Sequence, residues 1–238
     1  MHIMLKFITL FIISFSPAIG YAIWIRNTEK YEREPWAAIF VAFAWGATLA
    51  ILAALFLEQL LGISLATKIK DYTIFSFIMA VIIAPFAEEF AKPLGLSLKM
   101  VRKEINEEED GIVYGAIAGL GFAATENLFY SMSFLSYGLL LFSILVIIRT
   151  IGGCLLHASA TSFTGYGYGK ALLEGKGIGE ILHFFLIAVA MHSFYNFLVS
   201  FEMIGGIFGV FLAILFAIAS IRYVRKRIKK LDMEHPIE

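Results

Sequence analysis

The sequence predicts an all-α protein: a polytopic transmembrane helical bundle of about seven spans. Composition is the first observation behind this. Of 238 residues, 60% are hydrophobic and 16% charged, and the mean hydropathy is +0.82. A soluble domain carries roughly 45–50% apolar and 25% charged residues. The second observation is arrangement. The apolar residues form long runs rather than amphipathic stripes, and most runs reach the roughly 20 residues that a helix needs to cross a bilayer. The third is what remains: no stretch is left over for a soluble domain. Residues 1–238 therefore read as one integral membrane domain, with a motif-bearing core over 72–200 and a basic tail over 222–238.

The predicted spans are 3–25, 36–61, 72–99, 111–132, 137–170, 178–200 and 203–223. In the first, Ala18-Ile19-Gly20 has the small-x-small form of a signal-peptidase site. Its apolar core is long for a signal peptide and its amino end weakly basic, which favours a retained span. The third holds Pro85 and Pro93. Neither can donate to the carbonyl four residues earlier, at Val81 and Glu89, so this helix should kink and expose backbone acceptors. Such backbone is tolerated at depth where it lines a cavity or is buried in protein. In the fourth, Gly111, Gly115 and Gly119 make a small-residue face that admits a close neighbour helix. The fifth is too long for one straight crossing. It is expected to tilt, to bend near Gly152 and Gly153, or to leave the bilayer before Gly165, Gly167 and Gly169.

Charge sets an orientation. One side holds Arg26, Lys30, Arg33, Lys99, Arg102, Lys103, Lys170, Lys176 and the cations from Arg222 to Lys230, and the other holds Lys6, Lys68 and Lys70: about 14 against 3. Under the positive-inside rule the amino terminus lies outside and the carboxyl tail in the cytosol, where its cations meet anionic headgroups. The acidic run Glu104 to Asp110 reads as a solvated cytosolic loop, with Glu109 and Asp110 at the positive end of the next helix. A calcium loop is the other reading, and the run lacks its alternating ligand spacing. Formal net charge is zero, so charge predicts no nucleic-acid partner. The single cysteine, Cys154, excludes an intrachain disulfide and a cysteine-rich metal site.

Pairs at i,i+4 spacing that carry a polar residue recur in four successive spans: Glu88 with Lys92, Phe122 with Glu126, His157 with Thr161, and His192 with Asn196. Glu89 and Asn127 stand beside the first two. Ionisable groups in hydrocarbon cost several kcal/mol unless paired or facing a wet cavity. They also share a level. Counted from the cytosolic helix ends, Glu126 is about 15 residues in, His192 about 14, and His157 and Glu89 about 13, or roughly 20 Å at 1.5 Å per residue. That places them at or beyond the midplane, toward the outer leaflet.

Glu88-Glu89-Phe90-Ala91-Lys92 fits E-E-x-x-K, Phe122 to Asn127 fits F-x-x-x-E-N, and His157 and His192-Ser193-Phe194-Tyr195-Asn196 supply two histidine motifs. In order and spacing this set resembles the PrsW intramembrane proteases, within the larger group that includes CAAX-prenyl endopeptidases and bacteriocin-processing proteins. CAAX endopeptidases typically end the first motif one residue later in arginine and carry histidine where Glu126 stands, so Lys92 and Glu126 favour the PrsW branch. The resemblance covers about half the chain, residues 72 to 200. It implies a membrane-embedded endopeptidase of a prokaryotic cell membrane, acting on a membrane-anchored protein or peptide. The best-known member makes the first, extracytoplasmic cut in an anti-sigma factor.

Peptide hydrolysis needs an activated water and donors for the oxyanion. Glu88 or Glu89 is the candidate base, with Glu89 preferred, and Lys92 can pair with either; one glutamate of the two can equally serve only to neutralise Lys92. His192 and Asn196 are candidate oxyanion donors, His157 orients the water with Thr161 behind it, and Glu126 orients a histidine. Glu126, His157 and His192 also compose a possible zinc set of the His₂Glu type. With no H-E-x-x-H motif present, the metal-free reading is preferred. Cys154 reads as an inert core residue, Arg149 as a partner for a carboxylate or as snorkelling outward, and His183 as structural. The competing classes are a CAAX-prenyl-type endopeptidase, a proton-coupled transporter, and a non-catalytic membrane-peptide-binding protein. A transporter predicts inverted repeats, and no convincing repeat of the motif segments is present. The sequence leaves the oligomeric state open.

Overall fold

The computed structural model describes residues 2–200 and 206–234. Among them, seven helices are long and apolar enough to cross a membrane: α1 (Met4–Arg26), α2 (Trp36–Ala66), α3 (Tyr72–Ser97), α4 (Glu108–Tyr137), α5 (Leu139–Leu173), α6 (Ile178–Ser200) and α7 (Gly206–Asp232). Each coincides with a predicted span. Residues 203–205 of the last predicted span and 235–238 of the tail lie outside the described residues.

α4 is the central helix. Its most apolar stretch is almost wholly buried, whereas the most apolar stretch of each of the other six spans is mostly unburied. Its glycines explain how it can sit there. A Cβ at Gly115 would lie 2.6 Å from the carbonyl oxygen of Thr161, and one at Gly119 would overlap the carbonyl of His157. The small-residue face is therefore the seam on which α5 packs, and it presses the His157 backbone against α4 one turn from Phe122.

Three spans widen into a π-turn: Gly46–Ala50 in α2, Met79–Ile83 in α3 and Arg149–Gly153 in α5. Such turns add a residue to the helical repeat and collect at functional sites. In α3 the cause is Pro85. The Ala84 N–H donates to the Met79 carbonyl, five residues back; the next carbonyl in that register, Ala80, would need an N–H that Pro85 lacks. The freed acceptor is thus Ala80 rather than Val81, because the helix has changed pitch before the proline. After Ala91 the chain tightens into a 3₁₀ stretch, Lys92–Ser97, with Pro93 near its start. In α5 the π-turn lets one helix run through Gly152 and Gly153 without a break, which settles the long fifth span as a single 35-residue helix.

At the end of the bundle where α1 finishes and α4 begins, the structure extends one expectation and corrects another. The basic tail is helical as far as Asp232. α7 continues through it, and Ile221, Val224, Ile228 and Leu231 are buried at helical spacing, so an apolar stripe holds it to the bundle. Arg225 donates to the Thr28 hydroxyl at 2.9 Å and Arg227 to the Tyr166 hydroxyl at 2.9 Å. The acidic run is not uniformly solvated: Glu109 and Asp110 are buried in the first turn of α4, because the α1–α2 loop lies over them.

Candidate active site

The four polar motifs converge. Lys92 is the centre: it is fully buried, and its ammonium lies 2.9 Å from Glu88 Oε2, 2.8 Å from Glu89 Oε1 and 2.8 Å from His157 Nδ1. An ammonium has three donors and no acceptor, so all three are used and His157 Nδ1 must accept. The ring proton is then on Nε2, which donates to Glu126 Oε2 at 2.8 Å. Glu126 also takes Arg149 Nη2 at 2.5 Å, while Arg149 Nε donates to Asn127 Oδ1 at 2.8 Å. The face of Phe122 lies 4.4 Å from the Lys92 nitrogen, adding a cation–π contact in a dry setting.

The two adjacent glutamates have different surroundings. Successive residues on a helix point about 100° apart, so although both reach Lys92 the rest of their surroundings differ. Glu89 is fully buried and saturated: Oε1 receives Lys92 and His192 Nδ1, the latter at 2.9 Å, and Oε2 receives the Thr161 hydroxyl at 2.9 Å. Thr161 therefore holds Glu89, not His157 as its i,i+4 spacing suggested. Glu88 gives Oε2 to Lys92 and lines a cavity of about 430 Å³. Glu126, His157, His192 and Asn196 line the same cavity; Glu89 and Lys92 do not. The cavity's walls are apolar, with Ile51, Leu55, Leu145 and Val199 among them, which suits an apolar peptide segment above a polar floor.

Asn196 has a structural duty as well. Its Nδ2 donates at 2.9 Å to the Ala80 carbonyl, the acceptor freed by Pro85. One amide N–H is spent there and the other is left for the cavity. Thr125 makes a parallel contact, donating at 2.7 Å to Ala47 in the π-turn of α2. His192 spends Nδ1 on Glu89, leaving Nε2.

Glu88, His157 and His192 each offer a ligand atom within 4.8 Å of the others. The possible zinc set read from the sequence, where the metal-free reading is preferred, has Glu126 in the place of Glu88. Arg149 and His157 Nε2 draw Glu126 to the far side of the imidazole, so it is Glu88 that meets both histidines. Cys154 is buried, its sulfur 3.3 Å from the Asn127 amide, and it does not meet His157 as a nucleophile would meet a base. One acid at the site went unnoticed in the sequence: Glu58 of α2 lines the cavity. Its signal was present, as a lone charge in an apolar run, but no motif surrounds it.

A family profile described as PrsW family intramembrane metalloprotease matches residues 34–221. The chain is 27% identical over 202 residues to a protein named Protease PrsW from Clostridioides difficile (strain 630), covering 81% of this chain and 80% of that one. No solved structure matches.

Proposed function

The chain belongs to the PrsW family of intramembrane metalloproteases, and from that premise we propose that it cuts membrane-anchored proteins with Glu88 as the general base. One observation carries the choice of base: of the two adjacent glutamates, Glu88 lines the cavity and Glu89 is saturated behind it. A water beside Glu88 gives its proton to the carboxylate while its oxygen attacks the scissile carbonyl carbon. The resulting oxyanion accepts from the second amide N–H of Asn196 and from the Nε2–H of His192 in its doubly protonated form, since the Nδ1 proton is given to Glu89 and Nε2 has no protein partner among the described residues. The C–N bond then breaks, and the proton held by Glu88 passes to the leaving amine. Glu89 fixes the orientation of His192, and Glu126 fixes that of His157. Lys92 holds both glutamates in place.

The family description names a metal, and Glu88, His157 and His192 have the composition of a His₂Glu zinc set. The arrangement does not fit one. Both ring nitrogens of His157 are engaged, one by Lys92 and one by Glu126, and Glu88 Oε2 holds the same buried ammonium. No step here runs through a metal.

The experiment is cleavage of a library of membrane-spanning peptides by the purified protein, read by mass spectrometry. Glu88→Gln should lose roughly 10²–10⁴-fold in rate and Glu89→Gln less, with both variants inserting and staying monodisperse. A zinc chelator should leave the parent rate unchanged. The reverse order of the two glutamines would return the base to Glu89, and chelator inactivation would restore the metal.

The charge bias supports an amino terminus outside and a site toward the outer leaflet, so the cut falls near the substrate's extracytoplasmic boundary. An anti-sigma-factor-like regulator is the substrate class that the family resemblance suggests. In a Cys154→Ser background, single cysteines near Lys68 should react with an impermeant thiol reagent on intact cells, and those near Arg33 and Lys103 should not. The opposite labelling would invert the site.

A further inference from the structure

A second buried acidic cluster lies at the end of the bundle where α1 ends and α4 begins. It joins two segments far apart in sequence: Glu29 and Glu34 from the α1–α2 loop, and Asp110 from the first turn of α4. Each offers a carboxylate oxygen within 4.8 Å of the others. The loop is anchored from several directions. Asp232 of α7 accepts the backbone N–H groups of Lys30 and Tyr31 at 3.1–3.2 Å. Tyr114 donates to Glu34 Oε2. Asp110 Oδ2 accepts the N–H groups of Asn106 and Glu107, both at 2.7 Å.

What is unusual is the missing compensation. Glu29 is 1% exposed, and neither of its carboxylate oxygens has a hydrogen-bond partner among the described residues; Glu34 Oε1 and both oxygens of Glu109 are in the same condition. A buried charge without a partner costs several kcal/mol. Cations are near and are spent on neutral oxygens. Arg26 donates to the Glu34 carbonyl at 2.6 Å, Arg33 to the Glu29 carbonyl at 2.9 Å, and Arg225 to Thr28. The arginines build the loop around the carboxylates and leave the carboxylate oxygens pointing at one another.

We propose that Glu29, Glu34 and Asp110 form a binding site for a hard divalent cation, Ca²⁺ or Mg²⁺, distinct from the proteolytic centre. The ligand set is all oxygen, which selects these ions over zinc or copper. The spacing allows it: oxygens that share a calcium ion at about 2.4 Å lie no more than about 4.8 Å apart, and these three lie within that limit. The acidic run Glu104 to Asp110 has no calcium-loop spacing of its own because two of the three ligands come from the α1–α2 loop. A bound cation would pin that loop to the amino end of α4, the helix that carries Glu126.

The test uses the full-length protein in detergent, stripped with a chelator and titrated with CaCl₂ or MgCl₂ at neutral pH. At about 100-fold excess over Kd, one of the salts should raise the melting midpoint saturably by roughly 5–10 °C. Glu126→Gln, at the proteolytic centre, should keep the rise, and Glu29→Gln should lose it. Terbium supplies a direct readout, since Tyr114 contacts Glu34: sensitised emission should appear in the parent, fall when the effective salt is added, and be absent from Glu29→Gln. No rise with either salt, or a rise of equal size in Glu29→Gln, would overturn the proposal.

Discussion

The two buried acidic clusters of this protein differ in what answers their charge. At the candidate active site, Glu88, Glu89 and Glu126 meet Lys92, Arg149 and two histidines, and Glu89 has each oxygen hydrogen-bonded. At the other end, Glu29, Glu34 and Asp110 meet one another, and nearby arginines are committed to backbone and hydroxyl oxygens. Glu89 in the first is as fully buried as Glu29, Glu34 and Asp110 in the second. The first cluster therefore carries its own cations, Lys92 at i+4 and i+3 from the two glutamates of its helix and Arg149 from α5. The second needs either protons or an added cation. The comparison teaches that burial of a carboxylate identifies nothing by itself. What stands opposite it decides whether the group is poised for chemistry, neutralised, or waiting for a ligand.

Removing the built-in cation should produce the largest effect. Lys92→Met leaves Glu88 and Glu89 buried without their shared partner, and breaking such a pair costs about 3–5 kcal/mol. The melting midpoint in detergent should fall by roughly 10 °C, and cleavage should be lost with it. A Lys92→Met protein that melted with the parent would show that the first cluster does not depend on its internal cation.

An intermediate effect should follow pH at the second cluster. Burial, reinforced by Asp110, pushes Glu29 from an ordinary value of 4.5 up to about 9, and the same two causes push Glu34 up to about 10. Glu109 and Asp232 add to the repulsion on Glu29. The folded pKa values lie above the unfolded ones, so their stabilising contribution is complete below about 4.5. It declines as pH rises from there through 9 and 10, because the folded state holds protons that the unfolded chain has released. With divalent cations chelated, melting midpoints should fall steadily between about pH 5 and pH 9. A flat profile would mean that these carboxyls are compensated by something else.

The smallest effect sharpens the contrast. In the chelated protein below about pH 4.5, Glu29→Gln should change the melting midpoint by about 2 °C or less in either direction, since a neutral amide replaces a carboxyl that is neutral in the folded and unfolded states alike. The corresponding change at the first cluster, Glu89→Gln, should destabilise measurably, because Lys92, His192 and Thr161 all lose a charged acceptor. Equal responses at the two positions would erase the distinction between the clusters.

Much of the protein was legible in the sequence for plain reasons. A bilayer demands about 20 apolar residues per crossing, so the seven spans can be read off the chain. Ionisable residues at a shared depth are costly, so their recurrence marked Glu88, Glu89, Lys92, Glu126, His157, His192 and Asn196 as one group. The glycine face of α4 announced a close neighbour and found α5. The partners of those residues needed the tertiary structure, because they depend on how each helix is rotated about its own axis. A π-turn inserts a residue and swings everything beyond it by about 100°. The one at Met79–Ile83 lies just before Glu88 and Glu89, and no spacing rule says which of two adjacent glutamates then faces the cavity. The same turn moved the orphaned carbonyl to Ala80 and gave Asn196 its partner; helix packing turned Thr161 toward Glu89 and brought Glu58 to the cavity. The second acidic cluster was hidden for a related reason: Glu29 and Asp110 are 81 residues apart, and only folding of the α1–α2 loop across the start of α4 brings them together.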